Sequence, residues 1–126
     1  MDYNPVGWFE IYVKDMERAR KFYEGMLKTK LENLPSPGDE IEMYTFPMNP
    51  EGKGSSGALA KMGGDEQPSG NGVMIYFTCD DCATEASRVK ENGGQVIKNK
   101  FSIGDYGFVA IVSDTEGNVI GLHSLK

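Results

Sequence analysis

The chain has 126 residues, 39% apolar and 25% charged, which excludes a disordered protein and fits one globular domain. A domain of this length needs neither a disulfide nor a metal to fold. Its net charge of −6 argues against nucleic acid or an anionic membrane as a partner, and no stretch approaches the ~20 apolar residues of a membrane span. The start, Met1-Asp2-Tyr3-Asn4-Pro5, has no basic region followed by an apolar one. Two cysteines three positions apart make no secreted-type disulfide framework. A cytoplasmic location is therefore expected.

Val6 to Val13 is rich in β-branched and aromatic residues and predicts a strand. Asp15 has the short acceptor side chain that starts a helix. Met16, Ala19, Phe22, Tyr23, Met26 and Leu27 follow at helical spacing as one apolar stripe. Thr29 to Leu34, Glu40 to Met48 and Gly57 to Lys61 read as strands, broken by Pro35-Ser36-Pro37-Gly38 and Asn49-Pro50-Glu51-Gly52. Residues 62–72 hold four of the 16 glycines and read as a flexible polar linker. Beyond it the order recurs. Val73 to Cys79 is a strand, Asp81 a helix cap, and Cys82, Ala86 and Val89 one helical face, which Gly93-Gly94 ends. Gln95 to Phe101, Gly107 to Ser113 and Val119 to Leu125 are strands, the last two joined by a hairpin at Asp114-Thr115-Glu116-Gly117-Asn118.

Trp8 and Met74, Asp15 and Asp81, and Leu31 and Ile97 are each 66 residues apart, so a duplicated unit is expected: residues 1–61, a linker 62–72, and residues 73–126, within one domain. That order of elements, with Val13-Lys14-Asp15 leading to Phe22-Tyr23 and with Asp114 to Leu122 before the end, resembles the vicinal-oxygen-chelate superfamily of glyoxalase I, bleomycin-resistance proteins and extradiol dioxygenases. The resemblance implies an α+β fold of two tandem βαβββ modules whose curved mixed sheets surround a cavity, usually in a homodimer. It also places metal ligands, in metal-dependent members, on the first and last strand of each module. Those positions here are Trp8, Ala58, Met74 and Gly121. Trp, Ala and Gly offer no side-chain lone pair to a hard cation, and a Met thioether favours soft metals. Ala58 follows the insertion Gly52-Lys53-Gly54-Ser55-Ser56, which makes its alignment the loosest of the four. No metal and no cofactor are expected.

Strand alternation divides the rest. Phe9, Ile11, Leu59, Phe77, Cys79 and Leu122 fit a helix-packed face. Trp8, Glu10, Tyr12, Ala58, Met74, Tyr76, Thr78, Gly121 and His123 fit the other, a mixture of aromatic, apolar and a few polar groups suited to a small-molecule pocket. The same set is also what a filled, closed core would need. Glu10 is a carboxylate among apolar neighbours, and His123 is the chain's one histidine. Both stand two positions beyond a family ligand position, and either could transfer a proton. Each is equally suited to a structural hydrogen bond. Cys79-Asp80-Asp81-Cys82 is a CxxC, but its two carboxylates oppose thiolate formation, so a structural pair is expected. The reading is a metal-independent small-molecule binding protein whose ligand is partly apolar or aromatic. The alternatives are a lyase or isomerase using Glu10 or His123, and a structural dimer with a filled cavity.

Overall fold

In the computed structural model, which describes residues 2–35, 41–63 and 72–126, the two helices begin where the aspartates predict. Asp15 is extended and accepts from the Arg18 N–H at 3.0 Å, opening α1 (Met16–Leu27). Asp81 is extended and accepts from the Ala83 N–H at 3.0 Å, opening α2 (Cys82–Val89). The helices end differently. The first stops at Lys28, in the left-handed region. The second tightens into a 3-10 turn, Lys90–Asn92, and stops at Gly93, where glycine carries the positive φ of 96° without a Cβ clash.

The described residues also form eight strands: β1 (Val6–Tyr12), β2 (Glu32–Asn33), β3 (Ile41–Thr45), β4 (Ser56–Met62), β5 (Val73–Thr78), β6 (Gln95–Ser102), β7 (Phe108–Ser113) and β8 (Val119–Ser124). The strand expected over Thr29 to Leu34 shrinks to the two residues of β2, which pair with β3 alone at the sheet edge. Ser36, Pro37 and Gly38 of the expected turn and residues 64–71 of the expected linker 62–72 lie outside the described residues. The β7–β8 hairpin is held by Asp114, whose carboxylate accepts from the Glu116 and Asn118 N–H groups and from the Asn118 side chain. The Asn118 side chain, together with those backbone donors, holds the Asp114 carboxyl below the usual range.

The strands form one curved, unclosed sheet in the order β2-β3-β4-β1-β5-β8-β7-β6. β1 runs parallel to β4, and β5 runs parallel to β8. The two βαβββ halves meet at the antiparallel pair β1–β5. Its register carries the 66-residue repeat. Trp8 faces Tyr76, Phe9 faces Ile75 and Glu10 faces Met74, so exchanging each residue for its counterpart 66 positions away returns the same three pairs. A pseudo-twofold axis therefore passes through the Phe9–Ile75 pair, and both halves belong to one sheet within one chain.

The helices cover one face of that sheet. Under α1, Met16, Leu31 and Leu59 are buried with Ile11, Val13, Ala19, Tyr23, Tyr44 and Phe46 packed around them. Under α2, Cys79, Cys82, Ala86, Ala110, Val112 and Leu122 are buried beside Phe77, Val89, Val96, Phe108 and Ile120. Phe9 lies against Phe46 with ring centroids 5.5 Å apart. The helix-facing set read from alternation is thus the observed one. The apolar stripe of α1 divides: Met16, Ala19 and Tyr23 turn inward, while Phe22 and Met26 are 60% and 58% exposed on its flank and Leu27 is exposed at its end. The stripe is wider than the ~100° arc that one sheet face covers. Among the described residues, no helix is long and apolar enough to cross a membrane.

Candidate functional site

On the face away from the helices, one carboxylate gathers three donors. Alternation along β1 puts Trp8, Glu10 and Tyr12 on the same side. The Trp8 indole Nε1–H donates to Glu10 Oε2 at 3.2 Å. The Tyr12 hydroxyl donates to Glu10 Oε1 and lies 3.8 Å from Met74 Sδ. From β5, the Tyr76 hydroxyl donates to the same Oε1 at 3.1 Å. Tyr76 is the counterpart of Glu10 in the repeat, so this bond crosses the pseudo-twofold axis. All four side chains are half-buried.

The four positions where the resemblance places metal ligands ring this pair. Glu10 stands beside Ala58 and opposite Met74; Tyr76 stands opposite Trp8 and beside Gly121. The β1–β4 and β5–β8 registers therefore make Ala58 and Gly121 equivalent, in spite of the insertion before Ala58. Ala58 and Met74 are buried. Gly121 is small for a visible reason: a Cβ there would lie 2.2 Å from the Tyr76 ring. The ring occupies the space a ligand side chain would need. These residues do not fit a metal: the four positions hold an indole, a methyl, a thioether and a hydrogen. Among the described residues, no three or more His, Cys, Asp or Glu side chains are grouped to hold an ion.

His123 lies on the same face but apart. Glu10 faces Met74 on β5, whereas His123 pairs with Thr78, four residues further along that strand. At ~3.3 Å per residue the two are ~13 Å apart along the strand direction. Being two positions past a family ligand position does not bring them together, because β5 and β8 run parallel and opposite to β1. His123 Nε2 is 2.6 Å from the Tyr106 carbonyl. A carbonyl only accepts, so that nitrogen carries the proton.

The electrostatics separate the groups further. Burial first, then the Glu10 charge, raises both the Tyr12 and Tyr76 hydroxyls above their ordinary value of 10, so both remain protonated donors at neutral pH. In the CxxC, Cys79 and Cys82 are buried free thiols. Burial, followed by the nearby Glu85 carboxylate, pushes the Cys79 thiol up to about 12, which leaves it without the thiolate a redox role requires.

Two shallow clefts lie elsewhere. One, of about 580 Å³, is at the start of α1 between Lys14, Arg20, Glu42, Tyr44 and Lys61; there the Arg20 guanidinium sits 4.0 Å from the Tyr44 ring centre. The other, of about 440 Å³, is at the end of α1 near Glu24 and Lys28. Neither is lined by Trp8, Glu10, Tyr12 or Tyr76. No sequence signal pointed to the Arg20–Tyr44 contact, which depends on how α1 crosses β3.

Two βαβββ units sharing one curved sheet, with the ligand positions ringing its centre, define a protein of the vicinal-oxygen-chelate fold. The chain belongs to the Glyoxalase/Bleomycin resistance protein/Dioxygenase superfamily, whose family model matches residues 6–122. It is 28% identical over 117 residues to CFP32 of Mycobacterium tuberculosis, named as a candidate glyoxylase, a match covering 91% of this chain and 43% of that protein. The chain thus spans less than half the length of that relative. It is 29% identical to a glyoxylase-like domain-containing protein of Didymella fabae, covering 90% of this chain and 88% of that one. Among solved structures, methylmalonyl-CoA epimerase of Streptomyces coelicolor superposes with a TM-score of 0.70 at 17% identity, covering 96% of each chain. Hypothetical protein BH1468 of Bacillus halodurans gives 0.72 at 20%, covering 96% of this chain and 94% of the other. At these identities the structural likeness speaks for the fold alone.

Proposed function

We propose that this chain binds a small, partly aromatic molecule on the Glu10 face of its sheet without a metal ion. The observation that carries the reading is the Glu10 carboxylate fixed by Trp8, Tyr12 and Tyr76 at the centre of the four family ligand positions. Fixed polar groups amid aromatic surface are the usual composition of a ligand site, and Trp8 offers the largest stacking surface. Trp8 is the chain's one tryptophan, so its fluorescence reports directly on this face. Trp8→Ala should weaken binding of a molecule retained through purification roughly tenfold, a loss of ~1.4 kcal/mol. If Trp8 instead fills a closed core, the same truncation should cost ~3–5 kcal/mol of stability, with no ligand perturbing the native emission. Elemental analysis after dialysis against Ni²⁺, Zn²⁺ or Mn²⁺ should find no stoichiometric ion; one bound per chain sinks the metal-independent part. The expected assembly is a homodimer in the cytoplasm, and light scattering at the mass of a single 13.9 kDa chain would reject the dimer.

A second reading, a lyase or isomerase, draws support from the same carboxylate. With both tyrosines held as donors, the Glu10 carboxylate is the acceptor of this cluster and its candidate base. His123, bonded to the Tyr106 carbonyl away from Glu10, would then act separately or not at all. Solvent deuterium entering a carbon acid in the presence of the protein, and lost in Glu10→Gln, would favour this reading over simple binding.

A further inference from the structure

The three groups that donate to Glu10 are all neutral, and among the described residues no ion pair balances its charge. The ion pairs among the described residues are Arg20–Glu24, Lys21–Glu17 and Lys100–Asp81, and none involves Glu10. Segments 36–40 and 64–71 contain Asp39, Glu40, Asp65 and Glu66 but no Lys or Arg, so neither can supply a side-chain cation. Lys98 faces the same side of the sheet, since it pairs with Ile111, which pairs with Gly121. It is on β6, four strands from β1, with its ammonium 4.0 Å from the Phe101 ring centre. Three neutral donors offset part of the cost of half-burying the carboxylate but leave its charge unbalanced.

The carboxylate also has unused acceptor capacity. It offers about four lone-pair sites. Oε1 receives both tyrosine hydroxyls, while Oε2 receives only the indole N–H at its longer 3.2 Å. Around it stand Trp8, Tyr12 and Tyr76, which turn their N–H and O–H edges to the carboxylate and leave its negative charge to attract a cation. The chain's net charge of −6 acts in the same direction, concentrating cations near the surface.

We infer that the molecule bound on this face carries a cationic nitrogen, an ammonium or amidinium, seated at Glu10 Oε2 and against the rings of Trp8 and the two tyrosines. This rests on the face being a ligand site at all. An anionic ligand, by contrast, would meet a carboxylate that no ion pair among the described residues balances.

Three probes of like size and different charge test it on the full chain: benzyltrimethylammonium, benzyl alcohol and benzoate, titrated against Trp8 fluorescence and checked by ligand-observed NMR. The cation should bind at least tenfold more tightly than the alcohol, with benzoate the weakest. Glu10→Gln, which removes the charge at nearly the same shape, should lose the preference for the cation over the alcohol. Equal binding of all three, tighter binding of benzoate, or a preference unchanged in Glu10→Gln overturns the inference while leaving the face a ligand site. If none of the three binds, the ligand-site reading and the inference fall together. Should Glu10→Gln fail to fold, the ranking of the three probes on the unaltered protein still decides.

Discussion

The two halves of the sheet are related by one register and carry opposite chemistry at equivalent points. Where the first half has Glu10, the second has Tyr76; where the first has Trp8, Tyr12 and Ala58, the second has Met74, Thr78 and Gly121. The first half thus supplies the charge and two of the three rings, and the second supplies one donor and the small residue that makes room for it. The cores differ in the same sense. Under α1 the buried side chains are large and few, and much of the helix's apolar surface stays exposed. Under the shorter α2 they are small and more numerous. The asymmetry teaches that a duplicated backbone fixes where side chains meet and leaves open what they do there.

The largest expected effect tests the cores. Leu59 is fully buried at the centre of the first cluster and Leu122 is nearly so in the second. Leu→Ala truncations in cores cost ~2–5 kcal/mol according to how far the surroundings can collapse. Leu59, among large neighbours such as Tyr23, Tyr44 and Phe46, should lose at the upper end of that range. Leu122 has small buried neighbours, Ala86, Ala110, the two cysteines and Val112, with Phe77 and Phe108 only partly buried beside them, and should lose less. Urea unfolding of the two variants measures the difference; a costlier Leu122→Ala would reverse the comparison.

The next effect lies at the equivalent pair Ala58 and Gly121. A methyl at Gly121 would meet the Tyr76 ring 2.2 Å away and displace it. Gly121→Ala should therefore destabilise by ~1–3 kcal/mol, the usual cost of overpacking, and should loosen the Tyr76–Glu10 bond. In a Tyr76→Ala background the added methyl should cost far less, a coupling that a double-mutant cycle reads directly. Additive costs would mean that the glycine serves the backbone and not the ring.

A smaller effect separates the two helix caps by pH. Both Asp15 and Asp81 have folded pKa values below the ordinary 3.8. The Arg18 N–H is the main cause for Asp15; the Lys100 ammonium and then the Ala83 N–H are the main causes for Asp81. As the pH falls, the unfolded chain takes up these protons first. The stabilisation is therefore full above 3.8 and is lost as the pH drops through the lower folded values. Asp→Ser keeps a capping oxygen and removes the titration. Each substitution should flatten the acid side of the stability–pH curve, Asp81→Ser more than Asp15→Ser because it also releases Lys100. Two curves parallel to the unaltered protein's would refute the assignment.

Much of this architecture is legible in the sequence because it is local. Asp15 and Asp81 announce their helices, alternation sorts Ile11, Leu59, Phe77 and Leu122 from Trp8, Glu10 and Tyr76, and the 66-residue spacing gives the repeat. What is not legible depends on contacts across the sheet. Alternation puts Glu10 and Tyr76 on one face, but only the β1–β5 register sets them within a hydrogen bond. Parallel pairing of β8 with β5 carries His123 away from Glu10 and to the Tyr106 carbonyl. Periodicity makes Phe22 and Met26 part of an apolar stripe, yet whether a flank is covered depends on how far the sheet extends beneath it.

The smallest effect concerns how the helices stop. α2 ends at Gly93 with φ +96°, whereas α1 ends at Lys28 with φ 52° and ψ 49°. For an L-residue with a Cβ, the left-handed region is strained by ~1–2 kcal/mol relative to glycine. Lys28→Gly removes that strain. It also restores conformational freedom to the unfolded chain, which offsets part of the gain. It removes a positive charge as well, from a helix with no basic residue in its last turn, and a cation at a helix C-terminus is worth ~0.3–1 kcal/mol. The net should be a stabilisation of ~0.5 kcal/mol at low salt, growing as salt screens the lost charge interaction. Lys28→Asn separates the two contributions, because asparagine tolerates the left-handed region but is neutral. It should fall between lysine and glycine at high salt. At Gly93 the reverse exchange to Ala should destabilise, since its Cβ would lie 2.9 Å from Thr115 Cγ2 in addition to the unfavourable φ. A Lys28→Gly variant less stable than the parent at high salt would show that the ammonium, or a contact of the lysine stem, outweighs backbone strain at the end of α1.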